Sequence, residues 1–243
     1  LSARFYSLSH QGLVRTSNQD TILTDEVQRL WAVADGMGGH QKGDLASGLA
    51  CAALHHAIKQ GSDLASAFEQ AHARVRLAQR QEPGADNMGT TLVAVLETMH
   101  GFELAWVGDS RAYLLTHAQP HGAGEPELQQ LTTDHSVATR LYEQGEISAD
   151  QIDVHPHRHV LTDCIGQPQG IPTIETRKLD WQPGDRLVLC SDGLTGEISE
   201  DAMLETLTAK MSLDLIGQSL VNQALSNGGA DNIAVIVLNS PVE

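Results

Sequence analysis

Residues 30–40 read Leu30-Trp31-Ala32-Val33-Ala34-Asp35-Gly36-Met37-Gly38-Gly39-His40: an apolar run, one carboxylate, then a glycine-rich turn. The unbroken apolar run describes a strand covered on both faces, and Asp35 stands where that strand is expected to end. A charge delivered into dry structure needs a partner, because an isolated buried carboxylate is costly and otherwise takes up a proton. Gly36 can adopt the positive φ of a sharp turn and, without a Cβ, leaves its carbonyl open to an ion. The pattern is that of a cation site.

Working outward, Arg186-Leu187-Val188-Leu189-Cys190-Ser191-Asp192-Gly193 repeats the order of apolar strand, Asp, Gly. Phe102-Glu103-Leu104-Ala105-Trp106-Val107-Gly108-Asp109-Ser110 ends a third strand in Asp109, and Asp231-Asn232 stands just before the apolar residues 233–238. Converging aspartates would raise one another's pKa unless a cation neutralised them, and an all-oxygen donor set selects hard ions such as Mg²⁺ or Mn²⁺. Taken singly, each Asp-Gly also suits an ordinary turn. Recurrence at several strand ends is what favours one shared rim.

A chain of 243 residues with 41% hydrophobic content can bury one large core, and no linker, repeat or low-complexity block divides it. We therefore expect one domain over 1–243. A net charge of −16 argues against a nucleic-acid backbone or an anionic membrane as partner. Cys51, Cys164 and Cys190 are odd in number and widely spaced, which suggests neither a disulfide framework nor a zinc motif. With no signal-like opening and no apolar run of the roughly 20 residues a membrane helix needs, a cytoplasmic protein with reduced thiols is expected.

In chain order, strands are expected at 4–9, 21–24, 30–34, 90–96, 102–107, 111–116, 128–131, 174–179, 187–190 and 233–238. Helices are expected at 44–59 and 63–79, after Ser136 through Glu143, and at 201–209 and 213–225. Strands and helices fall in separate runs, which makes the class α+β. The polar loop 10–20 contains Arg15, a planar fork suited to phosphate oxygens, and Asp20; the plain alternative is a surface salt bridge. His55, His56 and His72 read as partly exposed helix residues. A mobile surface flap is expected around 134–170, and His155-Pro156-His157-Arg158-His159 within it reads as a solvated loop, since no flanking ligand pattern accompanies the histidines.

Rival motifs fail. After Asp35 the third glycine of GxGxxG is missing, and Asp44 stands where a phosphate-binding loop needs Lys. Gly108-Asp109-Ser110-Arg111-Ala112 falls one residue short of a nucleophile elbow and lies between two strands.

In order along the chain, Arg15-Thr16-Ser17-Asn18-Gln19-Asp20, Val33-Ala34-Asp35-Gly36-Met37-Gly38-Gly39-His40, Met88-Gly89-Thr90-Thr91, Gly108-Asp109-Ser110-Arg111, Asp134-His135-Ser136, Ser191-Asp192-Gly193-Leu194 and Asp231-Asn232 resemble the motifs of the metal-dependent protein serine/threonine phosphatases of type 2C, the PPM family, in their compact bacterial form. The resemblance implies two antiparallel sheets packed face to face with a helical layer outside each. It implies that Asp35 bridges two ions, that Asp192 and Asp231 complete one of them, and that the Gly36 carbonyl and waters complete the other. Asp20 would act through a water in the second shell, Asp109 with Asp192 would form a third site, and Arg15 would grip the substrate phosphate. Two or three Mn²⁺ or Mg²⁺ ions are implied, with a hydroxide held between two of them attacking phosphoserine or phosphothreonine directly.

Implied partners are phosphorylated proteins, among them a bacterial serine/threonine kinase that the enzyme would oppose; a monomer is expected, with no nucleic acid or membrane. Some positions depart from the family pattern. His10 and Gln19 replace the usual Asp and Glu, Asp163 and Cys164 end the flap unusually, and Met37 replaces a histidine, so the general acid is open between His40 and a metal-bound water. The alternative function is a non-catalytic phosphoprotein-binding regulator of the same fold, which would be expected to have lost a core ligand; a phosphodiesterase or small-molecule phosphatase is the third reading.

Overall fold

The structure, a computed structural model, describes residues 3–38, 42–99, 101–116 and 125–240. Its strands are β1 (Arg4–His10), β2 (Asp20–Asp25), β3 (Leu30–Met37), β4 (Gly89–Thr90), β5 (Leu92–Glu97), β6 (Gly101–Val107), β7 (Arg111–Thr116), β8 (Glu127–Gln130), β9 (Glu175–Asp180), β10 (Arg186–Cys190) and β11 (Ile233–Asn239). Its helices are α1 (Gly43–Lys59), α2 (Leu64–Gln81), α3 (Val137–Glu143), α4 (Asp192–Thr195), α5 (Glu200–Thr208) and α6 (Leu213–Asn227), with a single 3₁₀ turn at Ala149–Gln151. One sheet runs β1-β11-β10-β7-β8 and the other β2-β3-β5-β6-β9, with β4 beside β3, and their strand pairs are antiparallel.

Side-chain alternation explains why so many strands read as continuous apolar runs. Trp31 and Val33 of β3 point into the layer between the sheets, where they meet Leu187 and Leu189 of β10 and Ile236 of β11. Leu30, Ala32 and Ala34 point the other way, onto Ala46, Ala50 and Leu54 of α1 and Phe68 of α2. The small residues on this face let the helices approach closely. The second sheet is covered in the same manner, since Val188, Val235 and Val237 pack against Met203, Ile216 and Leu220 of α5 and α6. Away from the edge strands β8 and β9, whose side chains are largely exposed, each sheet is covered on both faces, and the layers run α-β-β-α as the resemblance implied.

Four local expectations are corrected. Strand β3 does not stop at Asp35 but continues to Met37, because Gly36 and Met37 find partners in Thr90 and Gly89. Asp192 does not follow its strand directly; β10 ends at Cys190 and Asp192 opens the short helix α4 behind the N-cap Ser191. Nor is the flap all surface. Ile165 is fully buried and bridges to Thr90, and Leu161 bridges to Ser136. His72, expected to be partly exposed, is buried beneath this foot, where its Nδ1 accepts the Gly166 N–H at 3.1 Å.

Candidate active site

The aspartates meet where strands of both sheets end. Asp20 opens β2 and lies opposite Asp35 in the β2–β3 register. Asp109 lies in the connection that carries the chain from β6 in one sheet to β7 in the other. Asp192 opens α4 after β10, and Asp231 stands two residues before β11. Asp35, Gly36, Asp109, Asp192 and Asp231, with Arg15, line one cleft of about 930 Å³; Asp20 sits behind it.

Backbone contacts hold this rim in place. Asp35 donates its N–H to the Thr91 hydroxyl at 2.9 Å, while its carbonyl accepts from the Thr91 N–H at 2.8 Å. Gly36 is needed for close approach, not for a positive φ: a Cβ there would lie 2.0 Å from the Gly43 carbonyl oxygen and 2.8 Å from that of Gln19. Gly193 plays the matching part on the other side, since its Cβ would lie 2.0 Å from the Asn232 carbonyl oxygen. The Asp109 turn is clamped by His135, whose N–H bonds the Gly108 carbonyl and whose Nδ1 accepts the Gly108 N–H. Arg111 beside it forks onto Asp134 at 2.7 to 3.2 Å.

Crowding so many carboxylates has an electrostatic cost. Burial, then the charges of Asp20, Asp192, Asp109 and Asp231, hold the Asp35 carboxyl well above the usual range. Burial and then Asp192 and Asp134 do the same to Asp109. Asp20 is pushed up to about 7, chiefly by burial and against a hydrogen bond from Ser191. Asp192 behaves differently: burial works against its charge, but the nearby His159, Asp35 and Arg15 outweigh it and hold the group below its ordinary range.

The same residues carry a sign of fit to a cation. Asp20 Oδ2 accepts the Ser191 hydroxyl at 2.7 Å, yet its Oδ1 is buried with no hydrogen bond, and so is Asp192 Oδ1. A divalent ion would offset the charge of an unpaired buried carboxylate oxygen beside several other carboxylates. Asp35, Asp192, Asp231 and the Gly36 carbonyl offer the oxygen donors that Mg²⁺ and Mn²⁺ take.

Arg15 makes the salt bridge that is the plain reading of its loop, and makes it at the cleft. Its Nη2 donates to Asp231 Oδ2 at 2.6 Å, a salt bridge that raises the guanidinium pKa, but the carboxylate belongs to the cleft and the side chain stays 55% exposed. Asn232 holds the loop there: its Oδ1 accepts the Gln19 N–H, and its Nδ2 donates to the carbonyls of Gln11 and Ser17. That role was not foreseen from the pair Asp231-Asn232. His10, one of the departures from the family pattern, accepts the Gly12 N–H and shapes the same loop. His40, the candidate acid, lies outside the described residues.

The flap supplies the residue that sequence reading passed over. His155 and His157 stay on the loop, their rings 5.6 Å apart, but His159 turns into the cleft with Nδ1 3.6 Å from Asp192 Oδ2. Among the described residues, Asp109, His159 and Asp192 form the group whose ligand atoms all lie within 4.8 Å of one another. The expectation of a merely solvated histidine loop is corrected for this one member.

Comparison with known proteins agrees with the geometry. The profile of the family described as Protein phosphatase 2C matches residues 9–227. Serine/threonine protein phosphatase PstP of Mycobacterium tuberculosis is 35% identical over 243 residues, which cover 98% of this chain but 45% of PstP. The chain thus spans about half of that relative, whereas it matches 92% of serine/threonine phosphatase stp of Listeria monocytogenes, at 36% identity and 94% of its own length. The crystal structure of PstP/Ppp superposes with a TM-score of 0.88 at 34% identity over 100% of both chains. The PstP catalytic domain in complex with 2 manganese ions superposes at 0.82, with 33% identity, over 98% of this chain and 97% of that one. With the fold, the ordered motifs and the family profile in agreement along nearly its whole length, the chain belongs to the protein phosphatase 2C family.

Proposed function

We propose that this protein is a metal-dependent phosphatase that hydrolyses phosphoserine and phosphothreonine in proteins, using two or three Mn²⁺ or Mg²⁺ ions. The observation that carries the reading is the gathering of Asp35, Asp109, Asp192 and Asp231 with Arg15 in one open cleft, with unpaired buried oxygens on Asp192 and on Asp20 behind it. Asp35, Asp192, Asp231 and the Gly36 carbonyl would hold two ions, and Asp109 with Asp192 a third. Bound there, divalent cations acidify water and offset charge on the phosphoryl oxygens. Asp20 is tied to Ser191, which also accepts the Ala234 N–H, so it can orient a water without leaving its place. Arg15 can exchange Asp231 for a substrate phosphate, because its exposed side chain is free to turn and a guanidinium matches two phosphate oxygens.

The relatives named as serine/threonine phosphatases support phosphoproteins as the substrate class. We extend the reading to a single catalytic unit over 1–243 with a flap around 134–170, acting as a monomer in the cytoplasm against a serine/threonine kinase. No described helix is long and apolar enough to cross a membrane. Phosphate release from a phosphothreonine peptide by metal-stripped protein, titrated with Mn²⁺ and Mg²⁺, tests the proposal. Release that needs metal, Asp35 and Asp192 supports it; metal binding without release from several peptides would favour the regulatory relative.

A further inference from the structure

His159 lies 3.6 Å from Asp192, an ion-pair contact too long for a good hydrogen bond. The spacing suits two ligands of one ion: donors about 2.1 Å from a metal lie about 3.0 Å apart at a right angle and about 3.4 Å apart at the tetrahedral angle. Asp109 completes the trio. Its residue is 7% exposed and lines the same cleft. Asp192 brings the buried, unpaired Oδ1 already noted.

The backbone next to His159 is held from behind. Val160, the next residue, accepts the Val137 N–H at 2.8 Å through its carbonyl; Leu161 bridges to Ser136, and Thr162 donates its N–H to the His135 carbonyl at 2.8 Å. His159 therefore projects from the point where the flap is stitched to the fold. His155 and His157 lie farther out along the loop, and the His157 N–H bonds His155 Nδ1.

We propose that His159 is a nitrogen ligand of a cation held with Asp109 and Asp192. This deepens the phosphatase reading and rests on its third metal site. Two consequences follow from the donor set. A site with an imidazole favours Mn²⁺, Co²⁺ or Zn²⁺ over Mg²⁺, which prefers oxygen. A bound ion also ties the flap to α4 and to the Asp109 turn, so metal supply sets the position of one wall of the cleft.

Pulsed electron paramagnetic resonance of metal-stripped full-length protein reloaded with Mn²⁺ tests this directly, because a nitrogen bound to the ion gives a ¹⁴N modulation. Wild type should show that modulation, and Mg²⁺ should displace the responsible ion poorly. His159→Ala should lose the signal and bind this ion at least tenfold more weakly, the scale seen when even supporting groups of a metal site are removed. A His155→Ala/His157→Ala double variant should keep it. Absence of the modulation in wild type, or its persistence in His159→Ala, overturns the proposal. Phosphate release measured on the same samples separates the two readings: metal-dependent release without ¹⁴N modulation removes only the histidine ligand, whereas modulation without release from any phosphopeptide removes the phosphatase and leaves the site.

Discussion

The two walls of the cleft are built by different means. One wall hangs on strands: Asp20 and Asp35 face each other across a ladder, and Asp192 and Asp231 stand at neighbouring ends of the other sheet. Its side chains are buried or half-buried, crowded and partly unpaired, and their positions follow from strand register. The flap wall carries His159 and Arg158, both exposed, and is held through a few backbone bonds near Leu161 and Ile165. The strand wall is thus preorganised at an electrostatic cost, while the flap wall is adjustable. The proposed function places catalytic charge on the first and selection among ions and substrates on the second.

The largest effect should come from breaking the strand wall. Asp192→Ala removes a ligand proposed to be shared between ions, and losing several kcal/mol of transition-state stabilisation corresponds to a fall in kcat of roughly 10³-fold or more. Single-turnover kinetics at saturating Mn²⁺ checks this; a loss under tenfold would place the chemistry elsewhere. Asp35→Ala should be equally inactive, yet more heat-stable than wild type when both are metal-free at neutral or higher pH, because it removes a carboxyl whose ionisation is opposed by burial and by Asp20, Asp192, Asp109 and Asp231. A gain of 1 kcal/mol would raise Tm by about 2 to 4 °C for a chain of this size.

Arg15→Ala comes next. A hydrogen bond to a charged group contributes about 1.5 to 3 kcal/mol, so kcat/KM for a phosphopeptide should drop by about 10- to 150-fold, mainly through KM. Mn²⁺ affinity should not fall, since the substitution frees Asp231. An unchanged KM would remove Arg15 from phosphate binding.

A smaller effect concerns pH. Asp20, Asp35 and Asp109 have raised pKa values in the folded protein, so the metal-free fold holds protons that the unfolded chain releases. Their contribution favours folding below the unfolded carboxylate range and is lost as pH rises; for Asp20 the loss is complete only above about 7. Asp192, lowered, opposes the trend in part. Metal-free protein should therefore melt several degrees lower at pH 8 than at pH 5.5, at roughly 2 to 4 °C per kcal/mol, and saturating Mn²⁺ should flatten the difference. A Tm that rises with pH without metal would contradict the crowded-carboxylate account.

The smallest catalytic effect is expected at the foot of the flap. Gln79 donates to the carbonyls of Met88 and Gly166, and it does not line the cleft. Gln79→Ala leaves buried carbonyls unpaired at a cost of about 1 to 3 kcal/mol, and should hasten proteolysis within 144–170 while changing kcat less than about threefold. A large loss of kcat would mean that the two walls are not mechanically separate.

The contrast between the walls also decides what could be read from the sequence. Trp31, Val33 and Ile236 announce strands because period-two burial leaves a continuous apolar run when both faces are covered. Asp35, Asp192 and Asp231 stand out against such runs, and so the strand wall was legible. Sheet order and the layering came from the family resemblance, since periodicity says which residues are buried and not which strands pair. The extension of β3 to Met37 was missed because it depends on Thr90, some fifty residues away along the chain. His159 was missed for a related reason. No period or spacing links it to Asp109 and Asp192; only the stitching of the flap to β4 and to the start of α3 brings it near.

The most direct measurement is phosphate release from a phosphothreonine peptide by metal-stripped protein against Mn²⁺ concentration, with Asp35→Ala in parallel and thermal melts confirming that both are folded. The account predicts no release without metal, saturable release with Mn²⁺ for wild type, and none for Asp35→Ala. Release that is independent of metal, or wild-type rates in the folded Asp35→Ala variant, would contradict it.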